Sequence, residues 1–564
     1  MRGYIQTTTQ RLRQVAFSIR ESVARYALEN RNSPDHVKGL PVLWWLALIC
    51  LVVVAVHSPL LNGYFLNYDD GGQITQFRGV THADWNTVKA LFTTNFENKN
   101  SNPMYLSFVA NWKLTPESYR GFAVFNLGLL VIVILTFYRF AGVFLGNPKW
   151  QLLATALFGV HSAKADVVGW QSARCHFMGM PFFLGAFVIW NQYLNAASTR
   201  ARVVWYALAM VCMSMAMLNK TIFIAILPIL VLFDIFKRRR INLLFVLDKI
   251  PIGTLLISIF LIGGTVTGNT KNTIGRGSLE TVWERVPSAV NLISQYLYDL
   301  FVPGVTAVCA NLKLDTLGSF FDVTSNSSLV MYKMMPTTNV AVITIALLGT
   351  VVLWLRYREP LPFLGLLAIG AALFPVLGFV PFWVDFAYRF LWIPTVFFCL
   401  LFVSIFRLIE SKHSRMISHV AWGLIFSYML WHSVLSFNTC AAYHTTATYW
   451  ENCVKNFPET DLCYQKLSNA VVEIDLDTAI KARWKAIKIS TQKKYQHKKL
   501  GTILADMLAR QGKEQLASLF YERSLVWRNA NKDGLKRARE YLKKHPITEE
   551  TREAVLTKRW DLLW

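Results

Sequence analysis

Pro41-Val42-Leu43-Trp44-Trp45-Leu46-Ala47-Leu48-Ile49-Cys50-Leu51-Val52-Val53-Val54-Ala55-Val56-His57-Ser58-Pro59-Leu60-Leu61 holds no Asp, Glu, Lys or Arg. As a helix it is long enough to cross the ~30 Å hydrocarbon layer of a bilayer. Just after it, past Asn62-Gly63-Tyr64-Phe65, comes Leu66-Asn67-Tyr68-Asp69-Asp70-Gly71-Gly72. Two adjacent carboxylates are too costly for lipid, so they sit just outside it or face a wet cavity. They also repel one another, so at least one of them calls for a function or a cation. The competing reading is a solvated loop with a Gly-Gly turn.

The rest of the chain follows the first span. Of its 564 residues, 54% are hydrophobic, 14% aromatic and only 16% charged, and the mean hydropathy is +0.34. That composition fits a polytopic membrane protein carrying some soluble mass. The formal net charge of +24 reads as the cytoplasmic Lys/Arg excess of membrane proteins, not as nucleic-acid binding. The eight cysteines and thirty glycines form no zinc-ligand, Rossmann or P-loop pattern. Met1–Leu40 is basic and amphipathic in places (Arg11, Arg13, Arg20, Arg25) and is expected to lie on the cytoplasmic membrane face. No cleavable signal peptide is read, because this basic segment precedes the first apolar run.

Further apolar runs fall near 122–138, 150–162, 177–193, 203–218, 221–236, 249–266, 338–355, 361–382, 387–406 and 416–437. The runs 150–162 and 203–218 are short for a crossing. Lys237-Arg238-Arg239-Arg240, Arg200/Arg202, Arg356/Arg358 and Arg407/Lys412/Arg415 mark cytoplasmic loops. A cytoplasmic N-terminus satisfies all four if the amphipathic segment 287–302 lies in the interface without crossing. The expectation is therefore an all-α bundle of about eleven helices. Its domains are a basic segment 1–41, a transmembrane domain 42–440 with a first outside loop 63–120, and an outside tail 441–564. On the outside fall Asp69 and Asp70, the stretch 161–176, Lys220, the stretch 385–389 and the tail. Amphipathic helices at Leu476–Lys488 and Leu500–Gly512, with Ala479, Ala482, Ala486 and Ala517 as small packing residues, suggest helix-pair repeats of about 34–38 residues. Cys453 and Cys463 can pair if the tail is outside.

Three cationic segments face the acidic loop. His161-Ser162-Ala163-Lys164-Ala165-Asp166 runs on through Trp170 to Arg174. Leu218-Asn219-Lys220 opens the next outside turn. Asp385-Phe386-Ala387-Tyr388-Arg389 opens a later span. A single Arg at a lipid boundary can merely snorkel. Three cations beside a di-acid look like an anion site, with Arg suited to bidentate contact with phosphate.

In this order the motifs resemble the transmembrane and tetratricopeptide-repeat proteins, members of the GT-C class of glycosyltransferases. The likeness covers most of residues 42–410. It rests on Tyr68-Asp69-Asp70 with Ile74; on His161, Asp166, Trp170 and Arg174; on Leu218-Asn219-Lys220 through Asp234; and on Arg389-Phe390-Leu391-Trp392-Ile393-Pro394. The departures are Ser162 in place of proline, Cys175-His176 in place of a polar or acidic pair, and Tyr388 in place of an acid. The resemblance implies a GT-C bundle with a tetratricopeptide-like tail that moves one sugar, with inversion, from a polyprenyl- or dolichyl-phosphate carrier. The acceptor would be a Ser/Thr hydroxyl of an extracytoplasmic protein, docked by the tail. Asp69 or Asp70 would be the base and Asp166 would orient. Arg174, Lys220 and Arg389 would hold the donor phosphate, where cations meet developing charge. His161, Trp170, Tyr388 and Asp385 are further candidates. No cofactor is called for, although paired acids leave room for a divalent cation.

The expected location is a bacterial inner membrane with site and tail in the periplasm, or an endoplasmic reticulum membrane with both in the lumen. Because the loop reads as solvated, Asn at either acid is expected to leave folding intact while at least one lowers transfer. Two other readings remain open. A transporter or flippase for a lipid-linked sugar would show inverted repeats, which the sequence lacks. A scaffold with an inert membrane part sits poorly with the intact Asp69, Asp70, Arg174 and Lys220. Transfer to a lipid or glycan acceptor is the alternative within the enzyme reading.

Overall fold

Helix formation follows the apolar runs nearly throughout. The computed structural model describes residues 36–37, 40–93, 102–237, 239–266, 286–302, 304, 337–377, 379, 386–458, 460–492, 498–526 and 532–556. Among them the only strands are β1 (His36–Val37) and β2 (Leu40–Pro41), an antiparallel pair with His36 opposite Pro41. The amphipathic part of the basic N-terminal segment, Asp385 and the tail beyond 556 lie outside the described residues.

The chain divides into two units, and Tyr443 is the last residue of the first. The first unit contains α1 (Val42–His57), α2 (Arg78–Thr81), α3 (Trp85–Thr93), α4 (Asn102–Leu114), α5 (Tyr119–Leu145), α6 (Pro148–Val160) and α7 (Ala165–Gly169). It continues with α8 (Arg174–Asn195), α9 (Thr199–Asn219), α10 (Ile226–Phe236), α11 (Leu243–Leu247), α12 (Lys249–Val266) and α13 (Val286–Phe301). It ends with α14 (Thr337–Tyr357), α15 (Leu361–Leu373), α16 (Trp392–Lys412) and α17 (Arg415–Ala441).

Among the described residues, eight helical stretches are long and apolar enough to cross a membrane. Their burial sorts them into layers. The stretches around α16 and α8 are 78% and 67% buried, whereas those around α1, α9, α12, α14 and α17 are between 6% and 22% buried at hydropathies of 1.4 to 2.2. Helices this apolar with so little protein cover take lipid as their solvent. The chain is an integral membrane protein built of helices around the α8–α16 centre.

The expected count of about eleven is met only in part by full-length helices. The runs at 150–162, 221–236 and 361–382 become α6, α10 after the turn Thr221–Ala225, and α15, the three helices being of 13, 11 and 13 residues. At 1.5 Å per residue these rise only ~16–20 Å, short of a bilayer's core. Ten of the residues of α6 are buried, so its ends can be satisfied by protein and need not reach the headgroups. The segment expected to lie in the interface is α13. It buries Asn291, Ser294, Gln295, Tyr296 and Asp299, and Gln295 donates to Asp299. Its polar stripe is therefore taken up inside the unit, not laid on headgroups.

The first outside loop is not an open loop. Ile74, Phe77, Val80, Met104, Tyr105, Phe108 and Val109 close a core of their own against Phe122 and Cys175. Gly71–Thr75 winds as one π-helical turn. Neither Gly71 nor Gly72 adopts positive φ, so the glycines are not there to make a turn.

The two ends of the bundle differ chemically. At one end Asp234 takes Lys249 at 2.6 Å, Arg239 at 3.0 Å and the Trp190 indole N–H at 2.7 Å. Asp248 takes Lys249 at 3.0 Å and pairs with Arg239. Lys149 meets Glu410 at 2.6 Å, and Arg407 pairs with Glu359. This basic end gathers the starts of α6, α9 and α12 and the ends of α10, α14 and α16. The loops carrying the basic clusters read from the sequence thus share one end. A buried carboxylate such as Asp234 persists there because it is paired and hydrogen-bonded.

The second unit comprises Leu66–Tyr68, 309–332 and His444–Trp564. Its helices are α18 (Thr446–Asn456), α19 (Asp461–Val471), α20 (Leu476–Gln492), α21 (Lys498–Arg510), α22 (Glu514–Val526), α23 (Lys532–Lys544) and α24 (Glu549–Leu556). Cys453 and Cys463 form a disulfide between α18 and α19. Thr445 opens α18 with a capping box. Ala479, Ala482, Ala486 and Ala517 are all buried, which lets α20 and α22 approach their partners closely. Arg510 grips Glu473 in a two-pronged pair at 2.9 Å. Asn67 accepts from the Trp450 indole at 2.6 Å, and Lys466 donates to its carbonyl at 2.9 Å.

Candidate active site

The opposite end of the bundle collects the end of α1, the starts of α5, α8 and α16, and the ends of α6, α9 and α17. Hydrogen bonds fix the gathering. Tyr119 donates to the Gly169 carbonyl at 3.0 Å, Tyr64 N–H to the Tyr443 carbonyl at 2.8 Å, and Trp392 Nε1 to the His176 carbonyl at 3.1 Å. The site candidates from the sequence gather here, apart from His161, which packs separately, and Asp385, which lies outside the described residues.

The paired acids differ. Asp70 is 0% exposed and accepts from Ser172 twice, from its N–H at 2.9 Å and its Oγ at 2.6 Å. Asp69 is half-buried, and it lies close enough to Tyr105 to act on that phenol electrostatically. Burial, with smaller contributions from Cys175 and Asp69, raises the Tyr105 pKa. The expectation of a solvated acidic loop is therefore corrected at Asp70. That carboxylate is a buried clamp on the turn 171–173, and a neutral residue there cannot be silent in folding.

Arg174 is also 0% exposed. Its Nε donates to Asn126 at 2.8 Å and Nη2 to Asn111 at 2.8 Å, with longer contacts from Nη1 to Ser107. The rings of Phe108, Phe122 and Phe125 lie 4.6–4.9 Å from its Cζ. The guanidinium is thus engaged by α4, α5 and three aromatic faces, and it ties the first-loop core to the start of α8.

Asp166 is 1% exposed and accepts from the Tyr443 hydroxyl at 2.8 Å. Gly169 makes room for the same tyrosine, since a Cβ there would lie 2.4 Å from its ring. The Trp170 backbone N–H donates to the Asp166 carbonyl at 3.0 Å, and the Arg389 guanidinium lies 5.6 Å from the Trp170 ring. Tyr388 is 5% exposed and is felt electrostatically by Asp299, Tyr296 and Asp166.

Lys220 and Arg389 come from separate elements yet act on the same residues, Cys175 and His176. Lys220 is half-buried and makes no ion pair or side-chain hydrogen bond to a described residue.

His161 stands apart from this group. It stacks on His432 at 4.1 Å, shares a 3.2 Å hydrogen bond with the Leu300 carbonyl and accepts from Ala163 N–H at 3.3 Å. Asp234, which closes the third sequence motif, lies at the basic end, away from Lys220 at the far end of α9.

Sequence reading missed Ser172, Tyr443, Tyr296 and Asp299. Ser172 stands within the quoted 161–174 stretch and was legible only as a neighbour of Arg174. Tyr443 lies 277 residues from Asp166, and nothing local announces the pairing. Among the described residues no group of three or more His, Cys, Asp or Glu is placed to hold a metal ion.

No family model matches the chain, and no curated protein matches it. It is similar to the crystal structure of the Archaeoglobus fulgidus oligosaccharyltransferase in its apo form, at 13% identity and a TM-score of 0.42, over 80% of this chain and 60% of that one. It is also similar to the crystal structure of ArnT from Cupriavidus metallidurans in the apo state, at 13% identity and a TM-score of 0.31, over 85% of this chain and 74% of that one. The chain thus spans less than two thirds of the length of the archaeal transferase.

Proposed function

We propose that the protein is a GT-C-type membrane glycosyltransferase that moves a single sugar from a polyprenyl-phosphate carrier to a hydroxyl of an extracytoplasmic protein. The observation that carries this reading is the meeting of Asp69, Asp166, Lys220 and Arg389, from four separate segments, at one end of the bundle while the basic loops sit at the other. Asp69 is the base, being the less buried of the paired acids. It takes the proton of the acceptor hydroxyl as that oxygen bonds to the anomeric carbon. The bond from the anomeric carbon to the phosphate oxygen breaks, and its electron pair leaves with the polyprenyl phosphate. Lys220 and Arg389 meet the charge that develops there. Direct displacement inverts the anomeric centre.

Asp166 orients the acceptor, with Trp170 and Tyr388 beside it. Asp70 and Arg174 shape the site from behind and need not touch substrate. The chemistry requires no cofactor. The helix pairs of α19–α22 begin at Asp461 and Lys498, a spacing of 37 residues, within the 34–38 read from the sequence, and would recruit the protein acceptor. The site and tail would face the periplasm of a bacterial inner membrane.

The test compares intact masses of surface proteins from a deletion strain, the strain complemented with the wild-type gene, and the strain complemented with Asp69→Asn. At least one protein should lose the mass of one sugar on deletion and regain it only with the wild-type gene, the variant transferring about 10²-fold less. Identical mass profiles in all three strains would overturn the reading.

A further inference from the structure

His176 lies where Lys220 and Arg389 converge. It is the third residue of α8 and is 2% exposed. Its backbone is pinned to the start of α16, because Trp392 Nε1 donates to its carbonyl at 3.1 Å and the Phe177 ring meets the Trp392 ring at 4.9 Å. Arg389 stands three residues before that tryptophan. From the other side comes the turn Thr221–Ala225. Gly179, one helical turn beyond His176, approaches it so closely that a Cβ would lie 2.2 Å from the Phe223 ring. Lys220, three residues before Phe223, is thereby brought against the same turn of α8. Both cations act electrostatically on the imidazole.

Against this stands the state of the ring. Its Nδ1 is buried and has no hydrogen-bond partner among the described residues. Buried polar atoms are nearly always satisfied, and an exception calls for an explanation. His161 shows what a structurally satisfied histidine looks like in this protein, with both ring nitrogens bonded to backbone. His176 instead leaves a nitrogen unspent beside Lys220 and Arg389, the two charged groups among the described residues that act on it. An anion held between Lys220 and Arg389 would find a third donor there, since neutral imidazole offers one N–H.

We propose that His176 donates a hydrogen bond from Nδ1 to the donor phosphate, making it a phosphate-positioning residue beside Lys220 and Arg389. The inference rests on the phosphate role given to those two residues above. The substrate class is a phosphodiester linking a sugar to a polyprenol, and the released polyprenyl phosphate offers the same oxygens.

Binding of polyprenyl phosphate to the full-length protein in detergent, followed through tryptophan fluorescence, tests it. The uncharged polyprenol measures the contribution of the tail, and competition by inorganic phosphate measures that of the headgroup alone. His176→Leu should weaken polyprenyl phosphate binding about tenfold or more, the scale of a hydrogen bond to a charged group, and leave polyprenol binding unchanged. His176→Asn, whose amide nitrogen falls near Nδ1, should bind within about threefold of wild type, whereas His176→Gln, whose amide falls near Nε2, should resemble Leu. Equal affinities for the Asn and Gln variants overturn the proposal, and that comparison stands even if the Leu variant fails to fold. Lys220→Met and Arg389→Gln separate the two levels of argument. If they weaken binding and His176→Leu does not, this inference alone fails. If neither weakens binding, the phosphate site itself is wrong.

Discussion

Replacing Asp70 by Asn should cost stability, while the same change at Asp69 should cost only transfer. The Asp70 carboxylate is fully buried and takes two hydrogen bonds from Ser172, at 2.9 and 2.6 Å. A hydrogen bond to a charged group contributes about 1.5–3 kcal/mol and one between neutral groups about 0.5–1.5 kcal/mol. Asn keeps an oxygen of the same shape but not the charge, so two bonds each weaken by about 1 kcal/mol, roughly 2 kcal/mol in all. In a domain of several hundred residues that lowers Tm by roughly 2–3 °C. Asp70→Ala loses both bonds and leaves the Ser172 N–H buried, about 3–6 kcal/mol. Ser172→Ala removes the hydroxyl donor alone, about 1.5–3 kcal/mol. Thermal unfolding of the purified protein in detergent measures all of them. The double mutant Asp70→Asn/Ser172→Ala should fall short of the sum by 0.5 kcal/mol or more, the usual scale of coupling between residues in contact. Strict additivity, or an unchanged Tm for Asp70→Asn, refutes the clamp. A Tm drop for Asp69→Asn as large as that for Asp70→Asn refutes the division of labour between the two acids.

Arg174→Met should destabilise by about 2–4 kcal/mol, because it strands the oxygens of Asn111 and Asn126. Lys at this position should not rescue it, lacking the planar fork that meets both amides; near-wild-type unfolding of either variant would return Arg174 to the list of ligand residues. Gly179→Ala should force Phe223 aside and displace Lys220, weakening polyprenyl phosphate binding in the same assay several-fold, and an unaltered affinity would uncouple that packing from the site. Cys453→Ser with Cys463→Ser should lower the stability of the tail unit by about 2–3 kcal/mol, the cost of opening a loop that short, and limited proteolysis reports it. A single cysteine at Lys513 should react with an impermeant label in intact cells; labelling only after permeabilisation would place the tail inside.

The membrane class and the helical build were legible because lipid imposes a coarse rule. Every spanning backbone must satisfy itself, so long apolar runs become helices. The gathering of basic loops at one end was legible for a similar reason, being written in Lys and Arg spacing alone. What escaped was set by tertiary contacts. Nothing in Tyr68-Asp69-Asp70-Gly71-Gly72 distinguishes the two acids; the difference arises from Ser172, 102 residues away. Arg174 reads from sequence as an outside cation, yet its charge is absorbed by two asparagines and three phenylalanines that local pattern cannot rank as partners. The polar stripe of α13 has an amphipathic period, and period alone cannot tell burial among polar neighbours from residence at a headgroup layer. The shortness of the run at 150–162 was legible from its length, and α6 is indeed only 13 residues long.

The bond between Tyr443 and Asp166 also sets an order of manufacture. The acid is synthesised early and its hydroxyl partner 277 residues later, which at ribosomal speeds of ~5–20 residues per second is a delay of roughly 15–55 s. Through that interval Asp166 lacks its latch, although Lys220 joins the emerging chain 54 residues after it and Arg389 223 residues after it. On the proposed function the transferase would therefore be incomplete until the last helix of its bundle is in place, and a half-built copy would not spend carrier lipid. Chains truncated after Val434 should insert and remain inert, and co-expressing residues 435–564 as a separate piece should not restore transfer. Activity in such a truncated chain would show that the latch is dispensable.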